Sequence, residues 1–390
     1  MPPNARSPHS DRAAPMLATF HRRLDEIDAA AWDALRPDDN PFLAHAFLAG
    51  LERHGCILPR LGWQPHHLAL RDGERLVAAA PLYLKGNSHG EFVFDWSWAD
   101  AYERHGVDYY PKLLAAVPYS PVTGPRLLAP DGAAQALAAR AIRDECARLK
   151  LSSAHANFVA DDQVDAFAGW LPRYDWQFHW RNRGWRDFGE FLDALTAKKR
   201  KNIRQERALV ARAGVALERV RGDAMSAGDV DFVYACYRAT FDDKGNYPAL
   251  TRAFFGHLVD AMPRNVMAAI ARTADGERVA AALFLHSSTT LYGRYWGAFA
   301  NVPGLHFEAC YYQGIEYCLE LGLARFEPGA QGEHKLARGF LPRRMRSFHH
   351  IADARFRDAI AHALALEARH RDADGEELMR HSPYRDEAGA

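Results

Sequence analysis

The chain has 390 residues, roughly twice the usual size of one domain, so two cores are expected rather than one. Its 48% apolar and 12% aromatic content allows a large interior and excludes a wholly disordered chain. Lys plus Arg number 49 and Asp plus Glu number 49, so any contact with nucleic acid or an anionic membrane has to be local.

Residues 1–15 are polar, lack the apolar stretch of a signal peptide, and read as a disordered leader. No apolar run reaches the roughly 18 residues of a membrane span, so a cytoplasmic protein is expected. Phe42 to His54 carries Phe47, Leu48 and Leu51 at helical spacing. A strand from His67 to Arg71, an Asp72-Gly73 turn and a returning strand to Leu84 follow. Glu91 to Trp98 reads as an aromatic strand, Val107 to Ala116 as a helix, and Arg126 to Leu128 as a short strand. Helix 133–150 and strand Leu151 to Val159 complete this half.

The second half opens with a strand from Trp176 to Trp180 and repeats the order. Helix Leu250 to Met262 precedes a hairpin from Met267 to Leu285 around Asp275-Gly276. Its Asp-Gly-Glu-Arg turn is the one found at Asp72. Strand Thr290 to Trp296, helix Leu305 to Leu321 and strand Arg325 to Glu327 follow, so the chain reads as two copies of one α/β unit. We place them at 16–172 and 173–385. The second copy carries a basic helix over 188–213 and an amphipathic C-terminal helix over 352–370, with fraying expected after Arg371.

The basic helix presents Lys198, Lys199, Arg200, Lys201, Arg204 and Arg207 against Glu206. Solvated surface charge and a seat for phosphates are both open readings. The five cysteines lack CxxC spacing and read as reduced thiols. Neither His66-His67 and His349-His350 nor the His306/Cys310 pair makes a ligand set, so no metal is expected. Nucleophile-elbow, zinc-helix, Walker and dinucleotide motifs are missing.

The richest polar constellation runs from Tyr292 to Arg346. Arg294-Tyr295-Trp296 ends a strand, and Pro328 to Lys335 loops from the C-terminal edge of the next, where ligands of α/β sheets tend to bind. Glu308 either complements its helix dipole or acts as a base. Glu333 and His334 are placed to take a proton from an amine, while Lys335 and Arg338 are placed to hold an anion.

Asn40-Pro-Phe-Leu43, the stretch from Gly90 to Ala99, Lys198 to Arg204, Leu291 to Gly297, His306 to Tyr312 and Gly329 to Lys335 resemble the FemAB-like family of N-acyltransferases. The resemblance covers residues 17–385. It implies a mixed α/β fold, a tandem duplication of two GNAT-like domains, and transfer of an acyl or aminoacyl group from an activated ester or thioester to an amine. The acceptor it implies is a cell-wall precursor or another small amine or peptide. No tightly bound cofactor is implied. The usual CoA pyrophosphate loop is not recognisable, and acyl-CoA, acyl carrier protein and aminoacyl-tRNA stay open as donors.

On this basis Glu333, His334 and Glu308 are the catalytic candidates, and Arg294, Tyr295, Trp296, Gln331, Lys335 and Arg338 the substrate-binding ones. Lys198, Lys201 and Arg204 are the candidate donor-phosphate site, and a backbone N–H between Tyr295 and Gly297 the oxyanion donor. A non-catalytic module that binds peptidoglycan precursors or peptides is the alternative, and RNA binding through the basic helix a third reading.

Overall fold

In the computed structural model the described residues are 16–243, 245–329 and 332–385, with Glu333 described by its backbone alone. In the first half come β1 (Leu17–His21), α1 (Ala29–Ala34), α2 (His45–Arg53), β2 (Trp63–Pro65), β3 (His67–Asp72), β4 (Arg75–Ala80) and β5 (Leu82–Lys85). Pro81 separates β4 from β5, because a residue without an N–H cannot continue the ladder. As a result β4 joins a small sheet β1-β3-β4 while β5 enters the main one. Then follow α3 (Trp96–Arg104), β6 (Lys112–Ala115), α4 (Gly132–Arg148) and β7 (Ser153–Ala156).

The second half begins with β8 (Leu171–Arg181), α5 (Phe188–Ala194), α6 (Ala197–Arg212), β9 (Ala216–Arg221), α7 (Ala227–Asp243) and α8 (Arg252–Ala261). Next are β10 (Val266–Arg272), β11 (Arg278–His286), β12 (Thr290–Ala298), α9 (Leu305–Phe307) and α10 (Gln313–Leu321). The chain closes with β13 (Arg325–Glu327), β14 (Leu341–Ile351) and α11 (Ala354–Arg380). Among the described residues no helix is long and apolar enough to cross a membrane.

Eleven strands form one mixed sheet in the order β2-β5-β6-β7-β14-β8-β13-β12-β11-β10-β9. Each half holds one parallel pair, β6 with β7 and β12 with β13, and each pair is joined across a helix. The centre is made by an exchange. β8 follows β7 in the chain but pairs with β13, whereas β14 follows β13 but pairs with β7. β8 and β14 then pair antiparallel from Leu341 opposite His179 to His349 opposite Leu171.

Apolar packing also crosses between the two halves. One apolar cluster draws Phe42, Phe47 and Leu51 from the first half and Phe254, Leu285 and Tyr292 from the second. The Phe42 and Tyr292 rings lie 5.1 Å apart, and those of Phe47 and Phe254 5.5 Å. The expected boundary at 172/173 also falls inside β8.

Other expectations shift locally. The segment read as a helix from Val107 to Ala116 contains β6, because Pro111 cannot sit inside a helix and Leu113 to Ala115 are buried beside β7. Glu91 to Trp98 is not a strand, since the Glu91 and Asp95 carboxylates turn inward to the buried Lys112. At Arg126 to Leu128 only Leu128 bridges Ala79. The basic helix is split at Leu195-Thr196, where the C-terminal tail inserts: Leu195 bridges Tyr384, and Thr196 N–H donates to Pro383 O at 2.9 Å. For the same reason the tail does not fray after Arg371; α11 runs to Arg380, and Tyr384 then donates to Gly339 O at 2.7 Å.

α7 lies so close to β12 that a Cβ on Gly297 would stand 1.9 Å from the Cys236 carbonyl oxygen. Backbone cannot yield as a side chain can, so Gly297→Ala is expected to cost about 1–3 kcal/mol of stability in urea denaturation. Gly132→Ala, at a position with nothing within 4 Å, is the control and stays near wild type.

Candidate functional site

The parallel pairing of β12 with β13 lasts for three residue pairs, Thr290 with Arg325, Leu291 with Phe326 and Tyr292 with Glu327. Beyond Tyr292 the strands part. Pro328 has no N–H to offer β12, and it lies against Gly293, where a Cβ would be 3.2 Å from Pro328 Cα. β12 bulges at the same point: Gly293 pairs with Phe284 and Tyr295 with Leu283, which leaves Arg294 as the extra residue.

The seam opens into a cavity of about 1150 Å3, at the upper end of the ~300–1,000 Å3 typical of small-molecule sites. β12 contributes Gly293, Arg294, Tyr295 and Trp296. The opposite lip holds Pro328, Gly329, His334 and Lys335. A third wall comes from His306, Cys310 and Tyr311, where residues Glu308–Tyr312 form a π-helical turn between α9 and α10. Such turns recur at functional sites because the extra residue redirects side chains. The first half supplies the far wall, with Arg60, Phe92 and Tyr119, and α7 adds Tyr237 and Phe241.

Lys335 is 3% exposed, and its Nζ donates to Gly329 O at 2.7 Å. Burial pulls its pKa down to about 8, so it is cationic at neutral pH but titrates close above it. Next to it, Tyr311 Oη and His334 Nε2 are 2.8 Å apart. Burial lowers the His334 pKa, helped by the charges of Arg338 and Lys335, and burial raises that of Tyr311. The phenol therefore donates to a neutral imidazole. Cys310 is no thiolate nucleophile, since burial pushes its thiol well above the usual range.

The other sequence candidates separate into three groups. Tyr295 and Trp296 line the cavity, as does Arg294, whose Nη2 donates to Tyr119 O at 2.8 Å and Ser120 Oγ at 3.0 Å. Glu308 and Arg338 lie outside its lining and hold the scaffold. Glu308 is buried and accepts from Arg207 Nε at 3.0 Å and Nη2 at 3.1 Å, and from Gln313 Nε2 at 2.8 Å. Arg338 binds Glu206 on α6, with Nη2 at 2.6 Å from Oε1, and stacks over the Phe307 ring. Lys198, Lys201 and Arg204 are exposed on α6 and do not line the cavity. Gln331 lies outside the described residues, as does the side chain of Glu333. Among the described residues no group of three or more His, Cys, Asp or Glu could hold a metal ion.

Sequence reasoning missed Tyr311, Arg60 and the aromatic wall. The run from Gly90 to Ala99 and the aromatic start of the 305–321 helix were the available signals. The first of these is held by the buried Lys112, whose Nζ reaches Glu91 Oε1 at 2.7 Å and Asp95 Oδ2 at 2.5 Å.

Glu327 ends the paired stretch and is buried on the side of the sheet facing Tyr292. Burial raises its carboxyl to about 7, against about 4.5 when unfolded. A neutral native carboxyl stabilises the fold fully below pH 4.5, and that contribution is lost as pH rises through about 7. In Glu327→Gln it no longer varies. The stability of the variant relative to wild type is expected to rise by about 3 kcal/mol between pH 4.5 and 7.5 in urea titrations, then level off.

The FemAB-like family model, described as peptidoglycan biosynthesis/recognition, matches residues 23–386. Among solved structures, FemX superposes with a TM-score of 0.51 at 12% identity, covering 86% of this chain and 98% of that one. The structure of L-PGS from Bacillus licheniformis superposes with a TM-score of 0.50 at 11% identity, covering 82% of this chain and 93% of that one. At such identities the likeness is one of fold. No curated protein matches the sequence.

Proposed function

The chain belongs to the FemAB-like family, and we propose on that footing that it is an acyltransferase of GNAT-like architecture. In this reading it moves an acyl or aminoacyl group from an ester or thioester carrier to an amine, and its two halves derive from a duplicated unit. The observation that carries the reading is the parting of β12 from β13 directly beside Lys335 and the Tyr311–His334 pair.

The donor carbonyl lies in the seam, where β12 has no strand partner on its β13 side beyond Tyr292 among the described residues. The amine attacks the carbonyl carbon, an N–C bond forms, and the C–S or C–O bond to the carrier breaks. Charge developing on the carbonyl oxygen is met by a backbone N–H between Tyr295 and Gly297 and by the Lys335 ammonium. The amine proton passes to Tyr311 Oη as Tyr311 gives its own to His334 Nε2, and the proton leaves with the carrier thiol or hydroxyl. Orientation of the two reactants contributes as well, because a neutral amine is already a good nucleophile. Glu333 retains its place in the proposal by its position next to His334. Peptidoglycan precursors and peptides are the acceptor class that the family description supports.

Purified protein is to be incubated with amine acceptors and acyl-CoA, acyl carrier protein or aminoacyl-tRNA donors, and products read by mass spectrometry. Formation of an amide supports transfer. Acceptor binding without product under every donor would favour the non-catalytic binding module instead.

Tyr311→Phe and His334→Ala are each expected to lower kcat by about 10²–10⁴-fold with little change in acceptor affinity. Lys335→Met is expected to lose about 10²–10³-fold. If the charged form of Lys335 is the working one, kcat falls as pH rises through about 8. Lys335→Arg, which stays charged, keeps partial activity and lacks that limb. No metal takes part in this reading, so exhaustive EDTA treatment leaves turnover unchanged.

A further inference from the structure

The cavity differs in charge from the molecule around it. The whole chain is neutral, yet no Asp or Glu is among the described side chains that line the cavity, while Arg60, Arg294 and Lys335 all do. Arg294 is the most telling of these. Its hydrogen-bond partners are a backbone carbonyl and a hydroxyl, both neutral, and its Nε and Nη1 have no partner among the described residues. Its guanidinium carbon is 5.2 Å from the centre of the Tyr295 ring and 5.4 Å from that of Phe42, so it is fixed by stacking. A half-buried cation held rigidly with a free donor edge, on the strand that forms one lip of the seam, is suited to a planar anion.

Around this charge the walls are aromatic. Phe92, Tyr119, Tyr237, Phe241, Tyr295 and Trp296 line the cavity. At its edge Phe94 and Tyr247 are 52% and 62% exposed. Two wall residues, Phe92 at φ 60° and Tyr119 at φ 55°, also hold the left-handed backbone conformation that side chains disfavour. Strained positions persist where the surroundings over-determine them, and they cluster at ligand sites.

We propose that the acceptor bound here is an apolar amine bearing one carboxylate, an aromatic or branched α-amino acid. This deepens the transferase reading and rests on it for the word acceptor. One guanidinium balances one carboxylate, and the aromatic wall takes the side chain. An α-amine then lies within a bond or two of the anchored carboxylate, beside the seam. A sugar nucleotide requires compensation of a diphosphate; with Lys335 assigned to the reacting carbonyl, the cations left are Arg294 and the exposed Arg60, which stand on different walls.

The test is equilibrium binding to the full chain with no acyl donor present, by calorimetry, using L-phenylalanine, L-phenylalaninamide, glycine and UDP. Phenylalanine is expected to bind at least tenfold more tightly than each of the other three. Arg294→Gln is expected to weaken phenylalanine at least tenfold and to change the amide less than twofold. Equal binding of phenylalanine and its amide, tighter binding of UDP, or no binding of phenylalanine would each overturn the proposal. The ligand comparison is made on the unaltered protein, so a folding defect in the variant cannot decide it. The transfer reading stands or falls separately, on product formation.

Discussion

Everything at the candidate site depends on where two parallel strands stop pairing. β12 and β13 hold together from Thr290 to Tyr292 and then part, because Pro328 cannot donate and a bulge at Arg294 turns β12 away. Gly293 makes the parting possible at such short range, since any side chain there would press on Pro328. The space between the strands would be a costly void in a core. Here it becomes a cavity, because the π-helical turn at Glu308–Tyr312 directs Cys310 and Tyr311 into it and the 332–335 loop supplies His334 and Lys335.

The cavity has a far wall because the halves are interlocked. Exchange of β8 and β14 puts an antiparallel pair of eleven-residue strands at the centre of the sheet, so neither parallel edge is left open. The shared cluster around Phe42 and Tyr292 then fixes the distance between the walls. On the first-half side the buried Lys112 holds the segment that carries Phe92 and Phe94. The left-handed backbones of Phe92 and Tyr119 cost about 1–3 kcal/mol each, which burial elsewhere in the fold has to offset.

Charge is sorted along the same lines. Arg207 and Arg338 look alike in sequence to the cations near them, but each is paired to a carboxylate and docks α6 or the 333–338 turn. Lys198, Lys201 and Arg204 stay in solvent. The cations of the cavity are left without carboxylate partners among the described residues, so their charge is available to a ligand.

The order of helices and strands was legible in the sequence wherever it depended on local spacing. Both Asp-Gly hairpins, the helices at Phe47 and Phe254, the strand read from Thr290 to Trp296 and the loop carrying His334 and Lys335 are such cases. Motif resemblance likewise reached the family. Only the tertiary structure could decide that Val107 to Ala116 is partly strand, that β14 crosses to the first half, that Glu308 and Arg338 face inward to partners, and that Tyr311 meets His334. Periodicity reports which face of an element is apolar. It is silent on which distant segment covers that face, and here burial between distant segments sets both the partners of each charge and the pKa of Lys335.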